Sequence, residues 1–423
     1  MVDLVIHGDD LEIAVEGGVI VALEERPARR EVDARGHLVF PGVIDVHVHF
    51  NEPGRTEWEG ALTGSRAFAR GGGTLYFDMP LNSSPCTVGA SEFLAKRAAL
   101  EASSVTDFGL WGGIVPGNLG MLAELADLGV IGFKAFMSDS GLPEFPRADD
   151  LTLYEAMGEA ARLGLPVAVH AEREEITWEL SRRACAEGRT GIRDYLESRP
   201  VVAEVEAIHR AGLLAREAGC KLHVVHISSG RGVAAALEAR AAGTDITLET
   251  CAHYLFFSSE DLERIGAAAK CAPPLRSEGE RQEMWRRLRE GEIDIVASDH
   301  SPAPLDMKQG SDFFKIWGGI AGVQSTLAVL LGKLPVADVG RVLSESPAAR
   351  FRIPRKGRIA VGYDADLVLV DPEVEYELKA EDLLQRHAIS PYVGARFRGV
   401  VKQTFVRGVA APQESKGRFV RPS

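Results

Sequence analysis

The 423-residue sequence predicts an α/β protein: a (β/α)8 barrel of the TIM type, with a small β-sandwich domain built from both chain termini. Three observations carry this expectation. Short apolar runs alternate with helix-like stretches, and there are eight such runs in the middle of the chain. Both ends show short segments of alternating polarity and tight turns instead. No GxGxxG follows the first apolar run, as it would in an open doubly wound sheet that binds a dinucleotide.

Taken in order, residues 3–40 read as short strands: Leu4-Val5-Ile6-His7, Leu11 to Val15, and Gly18 to Leu23. The far end is similar, with Ala365 to Val370 and Val400 to Val406. The expected limits are 1–45 and 351–423 for the two parts of the β domain and 46–350 for the barrel. Barrel strands are expected at 43–49, 74–79, 108–114, 130–137, 166–171, 222–227, 245–250 and 293–298. Helices are expected between them, at Thr56–Arg70, Ser91–Ala102, Asp150–Leu163, Val201–Ala218 and Gly232–Ala242.

Composition narrows the function. A net charge of −13 without a Lys/Arg run excludes the phosphate-neutralising surface that nucleic acid demands. No stretch of 18 or more apolar residues and no secretory core is present, so no membrane partner is expected. Five cysteines without CxxC spacing form neither a disulfide framework nor a zinc finger. The expected setting is the reducing cytoplasm.

In such a barrel the C-terminal strand ends share one mouth, where active sites lie. The first barrel strand ends in Asp45-Val46-His47-Val48-His49. Residues i and i+2 of a strand face the same way, so His47 and His49 suit one metal ion. The fifth strand ends in His170, which alone would pass for a hydrogen-bonded structural residue. The sixth carries His223 and His226, which face opposite sides of a strand; the later one is expected at the mouth. Asp299 ends the eighth strand. Lys134 sits inside the apolar fourth strand, a costly place for an ammonium unless it is paired, snorkels or serves chemistry. Four histidines and one aspartate suffice for two divalent ions, with room for a bridging carboxylate. An amine cannot bridge two cations, but a lysine carboxylated by CO2 can.

This pattern resembles the cyclic-amidohydrolase branch of the amidohydrolase superfamily, and the resemblance runs from Gly8 to about Arg407. It implies that His47, His49 and Asp299 bind one metal, that His170 and His226 bind the other, and that N6-carboxylated Lys134 bridges both. It further implies zinc as the metal, with Mn, Co, Ni or Fe as alternatives, and a homotetramer. A hydroxide shared by the two ions would attack a ring amide carbonyl, with Asp299 carrying the proton to the leaving nitrogen.

Within the branch, Asn51-Glu52-Pro53-Gly54-Arg55-Thr56-Glu57-Trp58 is similar to the allantoinase family, as are Met79 to Pro85, Thr250 to Tyr254, Lys270 to Arg276, Lys315 to Gly322 and Ser390 to Gly394. The implied substrate is allantoin, opened to allantoate in purine catabolism. Dihydroorotases usually carry Arg at the place of Asn51, and a neutral side chain gives a carboxylate no bidentate partner. Hydantoinases and dihydropyrimidinases typically have Ser where this chain has Ala272. Asn82 and Ala272 are the expected substrate contacts, although Asn82 equally suits a turn. A metal-free scaffold relative is the non-enzyme alternative; such proteins lose the histidines or the lysine, and this chain keeps all of them.

Overall fold

A computed structural model describes all residues 1–423. Strands β1 (Val2–His7), β2 (Glu12–Glu16), β3 (Val19–Ala22) and β4 (Ala28–Asp33) form one sheet in the order β3-β2-β1-β4. The side-chain period of two sorts β1 between two faces. Leu4 and Ile6 join one apolar cluster, while Val5 joins another with Ala14 and Ala22.

After β5 (Leu38–Pro41) come the barrel strands. These are β6 (Val43–Val48), β7 (Gly73–Asp78), β8 (Asp107–Leu110) continued by β9 (Gly112–Gly113), β10 (Phe133–Phe136), β11 (Val167–His170), β12 (Leu222–Val224), β13 (Ile246–Cys251) and β14 (Ile295–Ala297). All neighbouring pairs are parallel. The ring closes where the His49 N–H donates to the His300 carbonyl at 2.8 Å and where the Ile131 N–H donates to Leu110 at 2.9 Å. Every residue of β6 and β7 is buried, as expected of parallel strands covered on both faces. Ile44, Val46, Leu75, Phe77, Trp111, Ile131 and Ile295 fill the interior, and Phe351 packs edge-on against Phe77 and Trp111. A larger apolar layer lies between the strands and the surrounding helices.

All eight expected barrel strands form. The helices Asp150–Leu163 and Val201–Ala218 have the expected limits. Asp149 caps the former, its carboxylate accepting the Thr152 N–H at 2.8 Å. The first helix is a correction: it starts at Ala61, not Thr56. Residues 51–60 are instead folded into turns, with Arg55 N–H donating to Asn51 O, Trp58 N–H to Arg55 O and Gly60 N–H to Phe50 O. Gly60, at φ 88°, makes the change of direction that a side-chain-bearing residue resists.

Strands β15 (Leu367–Glu377), β16 (Arg396–Val406) and β17 (Val409–Ala411) complete the second sheet, in the order β17-β16-β15-β5. Leu367, Leu369 and Phe405 from this sheet meet Leu4, Ile6, Ile13 and Val15 from the first, giving the sandwich its core. Beyond it, residues 417–420 lie along β8: the Phe108 N–H donates to Arg418 O at 3.0 Å and the Val420 N–H to Phe108 O at 2.8 Å. Sandwich and barrel are joined by a buried charge cluster. Lys356 Nζ lies 2.7 Å from Asp107, 2.6 Å from Asp366 and 3.0 Å from Asp364, and Arg407 pairs with Asp107. No helix is long and apolar enough to cross a membrane.

Candidate metal centre at the barrel mouth

β6 delivers His47 and, one residue past its end, His49, with ring centroids 5.5 Å apart. Asp299 follows β14 in a left-handed conformation (φ 45°), which swings its carboxylate to both rings: Oδ1 is 3.2 Å from His47 Nε2 and 3.4 Å from His49 Nε2. The three candidate ligand atoms lie within 4.8 Å of one another. Glu249 Oε1 sits 2.8 Å from His47 Nδ1, which places the ring proton there and leaves the Nε2 lone pair facing Asp299. Burial pushes the Asp299 carboxyl up, but His47, His49 and His226 around it outweigh burial and hold it well below the usual range.

A second pair lies beside this trio. His170, the last residue of β11, has Nδ1 3.0 Å from Nε2 of His226. Its Nε2 is 2.8 Å from Glu172 Oε2, and its ring stacks on Phe136 at 4.7 Å. His226 adopts φ 40° just after β12, and its backbone N–H donates to Glu249 at 3.1 Å. Burial, then the neighbouring His170 and Lys134, lower the basicity of His226; burial also lowers that of His170. His47 and His226 rings are 5.5 Å apart, so the two groups are continuous.

Lys134 stands on β10 and is 1% exposed. Its Nζ has no hydrogen-bond partner and lies 5.0 Å from the centre of the Phe136 ring. Burial draws the ammonium down to about 8, against the pull of Glu249 and Asp299. The four histidines and Asp299 line one cavity of about 420 Å³; Lys134 lies behind its surface. A nitrogen and oxygen donor set with a lone buried amine among it fits divalent cations such as zinc, which take imidazole and carboxylate ligands.

A family model described as "Amidohydrolase family" matches residues 38–411. The chain belongs to the amidohydrolase family. Among curated members, it is 64% identical to an allantoinase of Solibacter usitatus, the match covering 97% of this chain and 93% of the relative. It is 54% identical to an allantoinase of Rubrobacter xylanophilus (99% and 98%) and 51% to one of Deinococcus radiodurans (97% and 95%). Among solved structures it superposes on an L-hydantoinase (dihydropyrimidinase) from Arthrobacter aurescens with a TM-score of 0.96, at 33% identity and complete coverage of both chains. A dihydropyrimidinase from Brevibacillus agri gives 0.90 at 29% identity, covering 100% of this chain and 98% of that one. This amidohydrolase is therefore a barrel enzyme with a β-sandwich attachment.

The expected substrate contacts are both at the cavity. Asn82 lines it with φ 70° and donates from Nδ2 to Ser301 Oγ at 3.3 Å; Ala272 lines it too. Asn51 does not line the cavity. It is 1% exposed, and neither amide atom meets a protein partner. Arg55, the nearby cation, is engaged with Glu144 and with the Asn82 carbonyl.

Two carboxylate partners of the histidines were not singled out in the sequence. Glu249 on β13 holds His47, His223 (2.9 Å) and the His226 backbone together. Burial raises its carboxyl, but His47 and the bond from His223 bring it to about 2. Glu172 accepts from His170 and pairs with Arg199. The signal for Glu249 was a carboxylate inside an apolar strand, the same anomaly that marks Lys134.

Proposed function

We propose that the chain hydrolyses the cyclic amide bond of allantoin to give allantoate, using two divalent cations held at the barrel mouth. The observation that carries the reading is Lys134: a fully buried ammonium without an acceptor, beside four histidines and an aspartate. Carboxylation by CO2 turns that amine into an anion with two oxygens, which suits a position between two cation sites. His47, His49 and Asp299 would hold one ion and His170 with His226 the other. When bound, the ions supply Lewis acidity and an ionised water at neutral pH.

The chain's own residues do the rest. Glu249 fixes the His47 tautomer, and Glu172 fixes that of His170. The Asp299 carboxylate, held ionised, takes the proton of the attacking water and returns it to the leaving ring nitrogen. Water thus adds across one C–N bond and the ring opens to a ureido acid. Asn82 and Ala272, which line the cavity, would meet the substrate's polar edge. The choice of allantoin is supported by relatives at 51–64% identity named allantoinases. Zinc, a homotetrameric assembly and the cytoplasm complete the proposal; five free cysteines agree with the last.

The hydantoinase reading has one specific support, the TM-score of 0.96 to an L-hydantoinase. Hydrolysis of allantoin, hydantoin, dihydrouracil and dihydroorotate, measured in parallel with metal-reconstituted protein in bicarbonate, separates the readings. Allantoin is expected to exceed the others by about a hundredfold or more in kcat/KM. Preference for hydantoin or dihydrouracil would overturn the substrate assignment while leaving the metal centre intact.

A further inference from the structure

Besides Lys134, four lysines are nearly fully buried, and they divide into two kinds. Lys96 pairs with Asp78, and Lys356 with three aspartates. Lys270 and Lys308, at 4% and 8% exposure, form no salt bridge. Both bond only to main-chain carbonyls. Lys270 Nζ donates to Phe313 and Ile316; Lys308 Nζ donates to Ala267 (3.2 Å), Trp317 (3.0 Å) and Gly319. Lys270 also lies 4.6 Å from the Tyr195 ring centre.

Four of those five carbonyls belong to residues 313–319, and residues 314–319 form one wall of the cavity that also holds the histidines and Asp299. A buried cation without an anion is costly, and a main-chain loop that turns its carbonyls inward needs a donor for them. Here each requirement answers the other: two lysine amino groups act as internal donors around which the wall is wound. The rest of the stitching agrees. Gly319 N–H donates to Lys270 O at 2.8 Å, Phe313 N–H to Thr190 O at 2.8 Å and Trp317 N–H to Met307 O at 3.0 Å. Gly319 carries no side chain because a Cβ there would lie 2.2 Å from the Ser301 carbonyl.

We propose that Lys270 and Lys308 are positioning residues that shape the substrate-facing wall 314–319 and thereby set substrate affinity. The inference rests on the cyclic-amide hydrolase reading for its kinetic part alone. The test compares Lys308→Met and Lys270→Met with the wild-type holoenzyme by hydrogen-exchange mass spectrometry over 309–320, by metal content and by kinetics on allantoin. If one variant does not fold, the other carries the test. Expected are faster exchange in 309–320, unchanged metal content, and a loss of about ten- to a hundredfold in kcat/KM carried mainly by KM. Unchanged exchange overturns the proposal, and so does faster exchange with unaltered KM. If the wild type turns over another cyclic amide and not allantoin, the substrate reading has failed. The same comparison made on that amide still decides the role of the lysines.

Discussion

Replacing Lys356 by Met tests the joint between sandwich and barrel. Its Nζ lies within 3.0 Å of three buried carboxylates, from Asp107 on a barrel strand, Asp366 beside β15 and Asp364. One such contact at 2.7 Å amounts to about 6 kcal/mol of Coulomb energy at an effective dielectric of about 20. Desolvation and repulsion among the carboxylates offset much of this. Methionine preserves the apolar stem but leaves three carboxylates with only Arg407 and the exposed Arg355 as cations. Removing one partner of a buried pair costs about 3–5 kcal/mol. For 423 residues the unfolding entropy is about 0.9 kcal/mol per degree, so Tm should fall by about 3–6 °C if the chain melts as a unit. Differential scanning calorimetry at one fixed scan rate and saturating metal reads this directly. Asp366→Asn added to Lys356→Met should recover part of the loss, because it removes one stranded charge. Steady-state kinetics at 25 °C should not change. A Tm within about 1 °C of wild type would show that the cluster does not hold the two parts together.

The proposed metal centre gives three further expectations. Lys134→Ala should lose bound metal and turnover, with partial recovery when a short carboxylic acid is supplied; full activity without the acid would remove the lysine from the site. Asp299→Asn should lower kcat by about 10²–10⁴-fold and weaken metal binding, and retained turnover would exclude it as the proton carrier. Glu249→Gln keeps the shape of the side chain but disturbs the His47 tautomer, so metal affinity should drop by about 10–100-fold in a competitive chelator titration. An unchanged affinity would reduce Glu249 to a packing role.

Much of the barrel was legible because parallel strands are buried on both faces and read as unbroken apolar runs, as in Val43-Ile44 and Leu75-Tyr76-Phe77. The strand-end polar residues could then be read off in order, and Lys134 stood out by being charged where its neighbours are not. What escaped depends on backbone turns and on distant partners. Nothing in the local sequence states that His226 and Asp299 take positive φ, the turn that aims them at His170 and His47. Glu249 carried the same anomaly as Lys134, but its service to His47 spans 202 residues and no strand period reveals it. The helix start at Thr56 was misplaced because Thr-Glu-Trp-Glu has helical composition, while Gly60 and the bonds donated to the Asn51 and Phe50 carbonyls fold it into turns.

The second sandwich sheet joins β5 to β15, with Leu38 opposite Val370 and Pro41 opposite Leu367. During synthesis the partner of β5 emerges some 326 residues later, because β15 starts at 367 and β5 ends at 41. At about 5–20 residues per second the ribosome leaves that edge unpaired for roughly 15–65 s. The nascent chain therefore carries an open strand edge and an uncovered apolar face on the β1–β4 sheet while the whole barrel is being made. Chaperone demand in the cell should fall on this interval, and a pause in translation before residue 367 should raise aggregation more than one placed after β17.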